Sequence, residues 1–172
     1  MEFSSFVFFF LNGLTFGMVL FLIASGLTLI FGVLGVLNFA HGTLYMLGAY
    51  LAYQSVRSFG EFWLALLIAP LLVAAIGSAI EIFLLRPVYG RPVAYQLLLT
   101  FGLILVVTDM VRMVWGMAYY SIPYPRLLSG SVPILGRGYP KYNLFLIASG
   151  LLVAVGLWLL LRRTWYLSLI HI

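Results

Sequence analysis

Gly32-Val33-Leu34-Gly35-Val36-Leu37-Asn38-Phe39-Ala40-His41-Gly42 interrupts a run, from Phe3 to Val56, in which no residue carries a formal charge. About 20 residues at 1.5 Å rise cover the roughly 30 Å of hydrocarbon in a bilayer, so the run is too long for one crossing. It holds two membrane segments. The glycines, with Asn38 and His41, mark the connection between them. The first span is read near Phe6–Phe31 and the second near Asn38–Tyr53. The second is short for a full crossing, which fits a partly re-entrant or broken helix.

Working outward, three more apolar segments follow. Phe62–Leu85 lies between Arg57 and Glu61 on one side and Arg86-Pro87 on the other. Val93–Gly116 follows the hinge Pro87-Val88-Tyr89-Gly90-Arg91-Pro92, and Asn143–Leu161 ends at Arg162-Arg163. Between the last two, Met117–Tyr142 holds Pro123, Pro125, Pro133 and Pro140, so it reads as an ordered surface loop and not a helix. The pattern is that of an all-α membrane protein, a polytopic transmembrane helix bundle of about five segments.

Composition supports this. Of 172 residues, 65% are hydrophobic, 17% aromatic and only 8% charged, and the mean hydropathy is +1.17. A soluble domain carries about 25% charged residues. A chain this apolar cannot cover a core in water, which excludes a soluble enzyme and a disordered segment. With no cysteine there is no disulfide or thiolate chemistry. The net charge of +5 comes from basic residues scattered singly at segment ends, a placement that suits membrane topology and lipid headgroups and not nucleic acid. Met1-Glu2-Phe3 lacks the basic start of a signal peptide.

Orientation follows from Lys and Arg in short loops. With alternating spans, Arg86, Arg91, Arg162 and Arg163 share one side, and Arg57, Arg126, Arg137 and Lys141 share the other. The number is even. The first set is the more compact, so its side is read as cytoplasmic and the N terminus as external. Small-residue pairs at helix-packing spacing, Gly13-x3-Gly17, Gly48-x3-Ala52 and Ala74-x3-Ser78, let helices approach closely.

Polar groups inside the spans are the candidates for function, because an ionisable side chain there is costly unless paired or hydrated. Glu81 lies about one turn from the Arg86 end of its span and could reach the interface or pair with Arg86. Asp109 and Arg112, three apart, share a helix face and neutralise each other or line a hydrophilic path. Asn38 and His41 are also three apart. Asn38 could cap the second helix by accepting an N–H one turn on. His41, Thr43 and Tyr45 add hydrogen-bonding groups, and a histidine here titrates near neutral pH. A cap with an interhelical hydrogen bond accounts for this cluster, as does a polar gate at the cytoplasmic end of the second span. Asn38, His41, Thr43, Tyr45, Glu81, Asp109 and Arg112 are thus candidate translocation-path or gating residues. No catalytic, cofactor-binding or metal-binding motif is recognisable.

The stretch Gly26–Tyr50, with Leu37-Asn38-Phe39-Ala40-His41-Gly42 as its most specific block, resembles the permease subunits of bacterial branched-chain amino-acid ABC importers of the LivH type. Glu81-x4-Arg86-Pro87, Leu98-Leu99-Thr100-Phe101-Gly102, Leu127–Ser131 and Leu157–Thr164 extend the likeness over roughly residues 5–164. The resemblance implies a non-catalytic, multi-pass subunit of the bacterial inner membrane, without cofactors. Its implied partners are a second related permease, two cytoplasmic ATPase subunits, a periplasmic substrate-binding protein and membrane lipid. The implied substrates are branched-chain amino acids, with urea, amides or other amino acids as related possibilities. A small polytopic scaffold or channel subunit is the alternative. The stretch 165–172 does not resemble the continuation in that family, so residues 1–164 are read as the N-terminal part of a transmembrane domain and the last eight as a foreign tail.

Overall fold

The computed structural model describes residues 3–35 and 38–163; the stretch 165–172, read above as a foreign tail, lies outside them. Five long helices follow in chain order: α1 Phe3–Leu34, α2 His41–Phe59, α3 Phe62–Ile80, α4 Val93–Trp115 and α5 Lys141–Arg163. Four stretches are long and apolar enough to cross a membrane: Phe3–Gly32, Phe62–Val88, Val93–Trp115 and Lys141–Arg162. The remaining helix is α2, the segment expected to be short. Its 19 residues reach about 28 Å. Gln54, Ser55, Arg57 and Ser58 make it the most polar of the five. It starts at His41 and not at Asn38, and it runs on to Phe59.

The described residues form two compact units, one of residues 3–26 with 124–163, the other within Leu27–Pro123. In the first unit the loop before α5 is not a plain loop. It carries a 3₁₀ turn, Arg126–Leu128, and an antiparallel hairpin of β1 (Ser131–Ile134) and β2 (Arg137–Pro140). The strand pairing was not expected from a segment so rich in proline. Leu135 and Gly136 make it possible, with φ of 48° and 80°. Positive φ at both central residues is the requirement of the tight hairpin turn whose twist matches paired strands.

Alternation along β2 aims Arg137 and Tyr139 the same way, toward α1. Arg137 donates to Ser5 Oγ at 3.2 Å, and the Tyr139 and Thr15 hydroxyls hydrogen-bond at 2.9 Å. Phe8 meets the Tyr139 ring edge-on with centroids 5.7 Å apart. Tyr139 is only 1% exposed. The membrane-capable part of α1 has 30 residues, about 45 Å and so some 15 Å more than the hydrocarbon needs. The hairpin lies along the N-terminal half, where that surplus accommodates it. Further along, α1 and α5 touch where Gly150 faces Met18.

In the second unit α2 and α3 run antiparallel. Gly48 lies against Val73 and Gly77 against Leu44, so four residues up one helix answer four down the other. Of the small-residue pairs, Gly48-x3-Ala52 therefore packs as expected at its glycine. Gly13 and Gly17 have open space beside them instead. On α4 the buried residues Gln96, Thr100, Leu103, Val107 and Val111 form one helical stripe. The core here joins Ala40, Leu85 and Leu103.

Candidate functional site

The antiparallel register of α2 and α3 brings the start of α2 beside the end of α3. Two features shape that place. Ahead of α2, the Asn38 side-chain oxygen accepts the Ala40 N–H at 3.0 Å, and the Asn38 carbonyl accepts the His41 N–H at 3.2 Å. This is an Asx turn. The expected cap, reaching one full turn into the helix, is not formed, because Asn38 sits two residues before the first amide it can satisfy. Asn38 is 6% exposed, and its NH₂ group remains a donor.

At the other wall, α3 does not end cleanly. Pro70 already removes one amide from its ladder. From Glu81 to Leu85 the helix widens into a π turn, in which the Arg86 N–H reaches back five residues to the Glu81 carbonyl. A single π turn inside an α-helix often marks a functional site. A 3₁₀ turn, Arg86–Val88, then leads to the hinge. That tight turn brings the Tyr89 phenol near the Glu81 carboxylate, and both line the same cleft. Burial pushes the phenol above its ordinary range, the nearby Glu81 carboxylate pushes it further, and Arg86 acts in the opposite sense. Among the described residues no ion pair joins Glu81 to Arg86. Glu81 instead lines the cleft together with the hinge tyrosine, Tyr89.

Between these walls is a cleft of about 350 Å³, toward the small end of the roughly 300–1,000 Å³ typical of ligand sites. Asn38, Ser78, Glu81 and Tyr89 give it polar groups, and Ile30 and Leu44 are among its apolar ones. Of the seven candidate residues, Asn38 and Glu81 meet here. Thr43 is buried within α2, His41 is half-buried and Tyr45 is 54% exposed. Asp109 and Arg112 form the expected pair, at 3.4 Å with both side chains more than half exposed, but away from the cleft.

Sequence reasoning missed Ser78 and Tyr89 as site residues. In the sequence Ser78 reads only as a small packing residue and Tyr89 only as part of a hinge. A tyrosine eight positions after an intramembrane carboxylate was the available signal. Thr100, fully buried, donates to the Gln96 and Leu97 carbonyls of its own helix, which makes it a packing residue. At the opposite end of this unit Tyr50, Tyr53, Trp115 and Tyr120 stack in a cluster with centroids 4.5–6.2 Å apart, the kind of aromatic group found at a membrane–water boundary.

Long apolar helices, an aromatic cluster at one end and a small polar cleft at the other define a polytopic helical membrane protein. The chain matches, over residues 9–166, the family described as branched-chain amino acid transport system / permease component, and it belongs to that family. It is a multi-pass protein of the inner membrane. It is 39% identical over 88 residues to the high-affinity branched-chain amino acid transport system permease protein BraD of Pseudomonas aeruginosa, covering 46% of this chain and 29% of the relative. It is 29% identical over 121 residues to the corresponding permease proteins LivH of Salmonella typhimurium and Escherichia coli, covering 65% of this chain and 39% of each relative. The matches thus span well under half the length of these curated relatives. No solved structure matches the chain.

Proposed function

We propose that the chain serves as a permease subunit of an ABC importer that moves branched-chain amino acids across the inner membrane. The observation that carries this reading is the family match, which takes in nearly every membrane-capable residue, from the first turns of α1 to the end of α5. In this reading the subunit does no chemistry. It pairs with a second, related permease, two cytoplasmic ATPase subunits supply the energy, and a periplasmic binding protein delivers the substrate.

The basic hinge Arg86–Arg91 lies on the cytoplasmic side in this proposal, which makes the cleft of Asn38 and Glu81 a cytoplasmic-end element of the path. A ligand-binding groove in an α-helical transport subunit needs a way to present polar groups at membrane depth. In this reading the Asx turn and the π turn serve that need, since Asn38 and Glu81 both line the cleft. The test is uptake of labelled leucine by cells in which this chain, with its neighbouring transport genes, is the sole route. Uptake that depends on the chain and is competed by isoleucine and valine supports the reading. Competition by urea or amides but not by valine would replace the substrate, and uptake indifferent to the chain would overturn the reading.

A further inference from the structure

The cleft between α2 and the end of α3 has a chemical bias that the transport reading does not supply. Among its described lining residues the one formal charge is the Glu81 carboxylate. Its other polar groups, Asn38, Ser78 and Tyr89, are neutral. A carboxylate offers about four acceptor positions, so Glu81 can take donors from a ligand in the cleft. Arg86 is close enough to act on Tyr89, but it is exposed and not part of the lining. Ile30, Leu44, Ile80 and Leu85 supply apolar wall. A carboxylate at one end and aliphatic side chains around it complement a cation carrying a short hydrocarbon chain.

We propose that this cleft binds the ammonium end of a small aliphatic amine, with Glu81 receiving the cation, Asn38 and Ser78 lining its path, and the aliphatic wall holding the hydrocarbon. The inference rests on the permease reading only for its place in transport. Its particular content is a selectivity: the site reads an ammonium group and not a carboxylate. An amino acid would be gripped here by its amine alone, and recognition of its carboxylate must come from groups outside this cleft.

The test is calorimetric titration of the full chain, purified in lipid nanodiscs, with isoamylamine and with isovalerate, which share a branched chain and differ in the charged end. Isoamylamine should bind saturably and isovalerate should not. Glu81→Gln should weaken the amine by roughly tenfold or more, the size expected when a charged hydrogen-bond partner is lost, while Glu81→Asp should largely retain it. Ala74→Leu, which fills the cleft without touching the carboxylate, should also abolish binding, and it serves if the Glu81→Gln chain does not fold. Isovalerate binding as well as the amine, or unchanged amine binding in Glu81→Gln or Ala74→Leu, would overturn the proposal. The two readings fail separately. Chain-dependent leucine uptake without amine binding removes the site and leaves the permease, and amine binding lost in Glu81→Gln without any uptake does the reverse.

Discussion

At the scale of single residues, two side chains carry predictions that follow from their surroundings. Asn38 is buried and holds the Ala40 amide. Asn38→Ala should lower stability by about 1 kcal/mol, as for loss of a local side-chain cap. Asn38→Asp, which keeps the acceptor, should lose less. Thermal unfolding in detergent distinguishes them, and equal losses would show that the Asx turn is not what the side chain supplies. Tyr89 yields a pH prediction. Its phenol is raised above 10.0, so the neutral form is the one the fold favours. Burial and the nearby Glu81 charge disfavour the phenolate, so the stability tied to the neutral phenol is fully present below pH 10.0 and is lost as pH rises through the raised value. The advantage of the wild type over Tyr89→Phe should therefore be constant below that pH and shrink above it. Some of this scale was legible in the sequence. Asp109 and Arg112 pair as their spacing dictates. Glu81 and Tyr89 do not follow from spacing on an α-helix, because a π turn and a 3₁₀ turn intervene.

Among the elements, the hairpin and the α1–α5 contact are the places where backbone geometry decides. Leu135 holds φ of 48°, a conformation that costs an L-residue with a side chain about 1–2 kcal/mol. Leu135→Asn, giving the Asn-Gly pair preferred in such turns, should raise the unfolding midpoint. A drop would mean that the leucine side chain has a packing role outweighing the strain. At Gly150 an added Cβ would lie 2.8 Å from Met18 Sδ and 2.9 Å from Met18 Cβ. The second of these atoms is not a flexible tip, so Met18 cannot simply swing aside. Gly150→Ala should cost about 1–3 kcal/mol through overpacking. Adding Met18→Ala should relieve part of it, and strict additivity in that double-mutant cycle would refute the contact. The hairpin was not legible because Pro133 and Pro140 read as strand breakers. The two prolines are tolerated because a two-stranded ribbon leaves half its backbone groups facing away from the partner strand.

For the whole molecule, what matters is how much apolar surface the chain leaves uncovered. Phe9, Phe10, Phe16, Leu71, Leu98 and Leu152 are among many large side chains exposed on the helices, far more than a protein in water tolerates. In a bilayer this surface meets hydrocarbon, and in a permease assembly part of it meets other subunits. The topology proposal is checked by cysteine labelling. Phe39→Cys, at the exposed position beside Asn38, should react with a membrane-impermeant reagent only from the cytoplasmic side. Leu135→Cys, in the hairpin turn, should react only from outside. The opposite pattern would invert the orientation derived from the basic loops.

Sequence alone determined the number of long helices, their approximate limits and the family, because each follows from local composition: apolar runs of bilayer length, charges at their ends and the Leu-Asn-Phe-Ala-His-Gly block. Tertiary structure decided what the polar residues do. Asn38 and Glu81 lie more than forty positions apart, and only the antiparallel register of α2 on α3 sets them on one cleft. Gly48 against Val73 and Gly77 against Leu44 mark that register, and the π turn lies beside the cleft. A linear pattern records which residues a bilayer must tolerate. Which of them face each other depends on helix packing and turn geometry, and these arise from contacts between parts of the chain that no local pattern links.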